Sequence, residues 1–155
     1  MQTPMRRLLG VAACAILLAL SSCASLQHGW DRGAVKEVAD LINAGQSQKL
    51  AAMSVTPFLV DQEIVVLKPD VAAFWDGVVK SGFRVQGAAL ETGSSVDADS
   101  YTQFAGTMEV KSFFARYVKK DTRVLRMSTS GGGHVLLLMR SDWFSRQLIG
   151  FKGPF

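Results

Sequence analysis

His134 stands directly after three glycines in RMSTSGGGHVLLLMRSD, the stretch from Arg126 to Asp142, with basic residues at both ends. Glycines beside a histidine and arginines are the raw material of a phosphate cradle with a general acid or base. Such a cradle needs its glycines between a strand and a helix, so that helix N–H groups point at the anion. Here they lead into HVLLLMR, which has strand character, and neither GxGxxG nor Gly-Lys-Ser/Thr is present. Gly131-Gly132-Gly133 therefore reads as a hairpin connection in which glycine supplies positive φ. A two-histidine metal site would need His28 folded over the domain toward His134. Asp97 and Asp99, in SVDADS, alternate as in a calcium loop but lack the glycine and closing glutamate of an EF-hand. No serine stands in a GxSxG context. The sequence thus assigns no catalytic residue, no metal site and no cofactor.

The cysteines carry a different chemistry. The chain opens MQTPMRRLLGVAACAILLAL, with Arg6 and Arg7 ahead of an apolar run from Leu8 to Leu20. That run is shorter than the ~20 residues a membrane-spanning helix needs, and it matches the charged and apolar regions of a secretory signal. Leu20-Ser21-Ser22-Cys23 then resembles the lipobox of bacterial lipoproteins. The alternative is an ordinary signal peptide with an incidental cysteine. The resemblance implies cleavage before Cys23, a diacylated thiol and usually an acylated amino group. Two or more acyl chains anchor stably where one is marginal. Ala24, in place of an aspartate, implies sorting to the outer membrane, facing the periplasm. Cys14 leaves with the signal, so no thiol remains for a disulfide, a metal or a nucleophile. The expected organisation is a signal peptide over 1–22, a lipidated tether over 23–32 and one domain over 33–155.

Charge narrows the partners. The formal charge of +4 includes Arg6 and Arg7, leaving about +2 on the mature part. From Lys111 to Lys152 there are nine Lys or Arg against Asp121 and Asp142. This basic third suits anionic headgroups, peptidoglycan carboxylates or an acidic partner, or is simply a solvated face. Nucleic acid is not expected in this compartment.

The elements that must position any site follow from periodicity. Val35, Val38, Leu41 and Ile42 predict a helix over Ala34–Asn43, with Asp31 as cap and Gly45 as stop. Ser47 caps a second short helix carrying Leu50 and Met53, which Pro57 closes. Phe58 to Lys68 reads as a hairpin around Asp61-Gln62. Pro69-Asp70 opens a helix with the stripe Val71, Phe74, Trp75 and Val78, ended by Gly82. Residues 83–92 read as a strand and 93–101 as a polar loop. Thr107 caps an amphipathic helix over Met108–Lys119 with Val110, Phe113, Phe114, Tyr117 and Val118 on one face. Strands follow at 123–128, 134–140 and 146–151.

Val135-Leu136-Leu137-Leu138-Met139 is apolar without alternation, whereas an antiparallel strand with one wet face should alternate. Both of its faces must be covered. One face is expected on the helices, and the other against a ligand cavity, an extra helix or a second copy in a homodimer. Trp75, Tyr117, Arg126 and Trp143 are the candidate pocket residues, with Trp143-Phe144 in the turn after this strand.

The order of elements predicts an α+β fold. PFLVDQEIVVL followed by DVAAFWDGVVKSG, with the closing strand RQLIGFKG, resembles the NTF2-like, cystatin-related superfamily. That resemblance implies helices packed on a curved antiparallel sheet that forms a cone. The helix Met108–Lys119 is an addition to it. Enzymes of the superfamily use Asp, His or Tyr inside the cone; no residue here matches such a position. The expected function is a lipid-anchored envelope binding or scaffold protein without catalysis, taking a small apolar or anionic ligand or an envelope protein. Alternatives are a small NTF2-like isomerase or hydrolase using a buried carboxylate, and a structural lipoprotein acting through a homodimer face.

Overall fold

The computed structural model describes residues 25–141 and 145–155. Along the chain lie α1 (residues 25–43), α2 (Ser47–Met53), β1 (Ser54–Val60), β2 (Glu63–Val65) and α3 (Lys68–Lys80). After these come β3 (Ala89–Ser95), a 3-10 turn (Ser100–Gln103), α4 (Met108–Tyr117), β4 (Thr122–Ser128), β5 (His134–Ser141) and β6 (Arg146–Lys152).

The strands form one sheet in the order β2-β1-β6-β5-β4-β3. Its neighbours are antiparallel except β1 and β6, which run parallel. This corrects the expected cone. The sheet is mixed, ends in two free edges at β2 and β3, and is neither closed nor strongly curled. It is a central layer with helices on both sides.

Strand alternation sorts the core into two halves. Leu125, Met127, Val135, Leu137 and Met139 face α1, α2 and α3, meeting Val35, Val38, Ile42, Leu50, Val71 and Trp75. Val124, Leu136 and Leu138 face the other way, onto Phe104, Val110, Phe113 and Phe114. The unbroken apolar run of β5 is thereby explained inside one chain: α4 and the 3-10 turn cover its second face. No cavity or second copy is needed to cover it.

Local chemistry accounts for most boundaries. Gly45, at φ 67°, turns the chain out of α1, and the Gln46 amide donates back to Leu41 O. Thr107 caps α4, its hydroxyl accepting from the Val110 amide at 3.3 Å. Asp61 takes positive φ in the β1–β2 turn, and its carboxylate accepts from the Gly153 amide. Thr129 N donates to Gly133 O across the triglycine, so this segment is the expected hairpin.

Five boundaries differ from expectation; one is α4, expected to reach Lys119, which ends at Tyr117 with Val118 extended. Residues 25–32, expected as tether, are helical, and Asp31 sits inside α1 instead of capping it. Ser47 does not cap α2; Gln46 holds that position and no side chain caps the helix. Pro57 lies within β1, where its missing N–H coincides with the register break against β6 between Ser54 and Leu59. The strand expected at 83–92 begins only at Ala89 and runs on to Ser95.

Candidate functional site

Trp75 is fully buried on α3, in a nest of Phe58, Phe74 and Phe151. Its indole N–H donates to the Ser54 hydroxyl at 2.9 Å, and that hydroxyl donates to Leu50 O at 2.8 Å. Trp75 therefore locks α2, α3 and the start of β1 together and forms no pocket wall.

Arg126 lies on β4, on the sheet face that α4 covers further along. Glu91 is the extra residue of a bulge in β3, between the pairs Leu90↔Met127 and Thr92↔Arg126. A bulge re-aims a side chain, and the Glu91 carboxylate lies 2.9 Å from Arg126 Nε and 3.0 Å from His134 Nδ1. Both nitrogens crowd one oxygen without the alignment of good hydrogen bonds. The Phe155 ring packs over the Arg126 guanidinium and against His134, and Phe155 exchanges both backbone hydrogen bonds with His134. This group latches the C-terminus to β5.

Tyr117 is elsewhere. It ends α4, about half exposed, and lines a groove between α4 and the β1–β2 hairpin. The groove holds about 410 Å³ and is open along its length. Pro57, Ile64, Val66, Met108 and Phe113 give it an apolar floor and walls, and Glu109, Ser112 and Arg116 give it a polar rim. Met108 is 70% exposed and Val66 64% exposed, with Leu67 next to it also open. Exposed apolar side chains gathered in one concave place mark a contact surface more than scattered ones do.

The structure thus does not bring the expected pocket residues together. Trp75 is in the core, Tyr117 in the groove and Arg126 in the latch. Trp143 and the lipobox cysteine Cys23 lie outside the described residues. Ile64, Val66, Met108 and Arg116 are groove residues the sequence reading missed. A signal was available: IVVL is a longer apolar run than the three-residue β2 needs, so its tail had to be exposed or to meet something.

Other candidates resolve into structure. Asp97 closes the 3-10 turn: its carboxylate accepts from the Ser100 hydroxyl at 2.7 Å and the Asp99 amide at 3.0 Å, while its amide donates to Ser100 Oγ. The Ser100 hydroxyl first, and then the Asp99 amide, hold the Asp97 carboxyl below its ordinary range. Asp31 is the one buried carboxylate among the described residues, and Arg123 clamps both its oxygens, at 2.5 and 3.2 Å. Among the described residues no three His, Cys, Asp or Glu side chains converge as a metal set, and no helix is long and apolar enough to cross a membrane.

No family model and no curated protein matches the sequence. Among solved structures the chain has a distant, partial likeness to a domain of unknown function with a cystatin-like fold from Nostoc punctiforme. The identity is 16%, the TM-score 0.37, and the match covers 81% of this chain and 74% of that one.

Proposed function

We propose that this chain is a binding or scaffold domain of the bacterial cell envelope, held to the membrane by lipid on Cys23 and working by association. The groove beside α4 is the observation that carries the association. Its open shape suits a stretch of polypeptide better than an enclosed small molecule. Its floor is apolar, with Glu109 and Arg116 both on its rim, and the turn after α4 carries Lys119 and Lys120. The fitting occupant is a segment of an envelope protein with apolar side chains beside acidic ones. The lipobox LSSC supports the anchor, and Ala24 supports the outer membrane, with the domain facing the periplasm.

The test is photo-crosslinking in living cells, with a benzophenone amino acid in place of Tyr117 in the full-length chain. A discrete polypeptide adduct is expected from position 117 and not from Ser130, at the opposite end of the sheet. Met108→Asp should abolish it. Met108 is exposed at the first helical position, so the change should cost the fold no more than about 0.5 kcal/mol. Absence of an adduct, or one indifferent to Met108→Asp, contradicts the groove as the binding site.

A further inference from the structure

We infer that the sheet end beneath the first turns of α1 rests on the membrane surface, with Leu26 and Trp30 in the headgroup region; this rests on the Cys23-anchored reading. Three observations carry it.

The first is the absence of slack. The helix is already formed at residue 25, two residues beyond Cys23. Two residues reach at most roughly 7 Å, so a lipid on Cys23 holds the start of α1 at the bilayer.

The second is an apolar stripe that outruns the core. Leu26, Trp30 and Ala34 follow one another at i, i+4. Ala34 is buried against the sheet, but Leu26 is 68% exposed and Trp30 40% exposed. All of residues 25–30 are exposed. Tryptophan with an amphipathic ring is the residue that favours the membrane interface.

The third is charge. Asp31 reaches Arg123 at the start of β4, and Trp30 and Glu37 reach Arg146 at the start of β6. This places the α1 N-terminus at the sheet end where β4 and β6 begin and β5 finishes. Arg146 sits over the Trp30 ring at 5.4 Å. Arg123 and Arg146 neutralise Asp31 and Glu37. Lys119, Lys120 and Arg140 stand at the same end with no carboxylate partner among the described residues. Acids stand there too: Asp121 in the turn that carries Lys119 and Lys120, and Asp97 and Asp99 just after β3, where the Val96 amide donates to Thr122 O. Exposed Leu26 and Trp30, with Arg146 over the Trp30 ring and Lys119 and Lys120 in the neighbouring turn, suit an apolar layer under anionic headgroups.

The experiment uses the full chain, matured in cells, extracted and reconstituted in phosphatidylethanolamine–phosphatidylglycerol vesicles. Leu26→Cys supplies the one free thiol for a fluorophore, since Cys14 leaves with the signal and Cys23 is acylated. Ser130→Cys is the control, roughly 25 Å away along the sheet. Spin-labelled lipid should quench the fluorophore at 26 several-fold and leave that at 130 unchanged. Lys119→Glu with Lys120→Glu should reduce the quenching at 26. Equal, weak quenching at both sites overturns the inference, whether the α1 end then faces water or a protein. Intact mass on the same sample separates the causes. An acylated chain with an unquenched position 26 rejects the orientation alone, and a chain without acyl groups rejects the anchored reading and this inference with it.

Discussion

Ser54 is a small residue with a large structural task. It is fully buried at the start of β1, takes the Trp75 N–H and gives its own proton to Leu50 O. Ser54→Ala would leave the indole donor buried without a partner, which costs about 1–3 kcal/mol. Denaturant unfolding should show that loss, with Ser54→Thr recovering part of it. Asp31 is a similar case on α1. Its oxygens are held by Arg123, and Gly93 of β3 lies so close that an added Cβ would strike the carboxylate. The sequence marks Trp75 and Arg126 as large and polar-tipped, and such residues suit both pockets and cores. It does not show that Ser54 would satisfy the one or that Glu91 would reach the other. Those partners lie 21 and 35 residues away in the chain, beyond what local spacing reveals.

At the scale of elements, α4 settles the second face of the sheet. Its stripe is legible because Val110, Phe113 and Phe114 follow helical spacing, but the stripe does not say which side of the sheet it will cover. Phe113→Ala should cost about 3–5 kcal/mol, the usual range for a buried phenylalanine. It should also raise binding of a hydrophobic dye as β5 loses its cover, whereas a face covered mainly by a second copy would leave the monomer's stability unchanged. Two elements escape a reading by periodicity. β3 is an edge strand whose residues are exposed apart from Leu90, so ALETGSS has no buried face to alternate against; its pairing with β4 makes it a strand. The first turns of α1 carry only Leu26 and Trp30 as apolar residues, with Gly29 and Gly33 between and after them, and read as linker. Their helix becomes intelligible with Asp31 bound to Arg123 and Trp30 under Arg146.

For the whole molecule, an open mixed sheet between two helical layers replaces the cone. The cone failed because a resemblance carried by one hairpin-helix unit and a closing strand says nothing about strand order. β6 inserts beside β1 in parallel, and α4 fills the face that a cone would leave hollow. With both faces filled, the two proposed contact surfaces lie at the margins: the groove along α4, and the sheet end beside the α1 N-terminus. Tyr117 and the turn that follows it lead into β4 at that same end, so a partner in the groove would be engaged close to the bilayer. This proposed arrangement rests on a lipid at Cys23. The most direct measurement is therefore the intact mass of the chain extracted in detergent from bacterial envelopes. The expected result is a chain beginning at Cys23 with diacylglyceryl and acyl mass added, and its loss with accumulation of full-length precursor in Cys23→Ala. A chain that begins at another residue, or carries no lipid, or matures normally in Cys23→Ala, would contradict it.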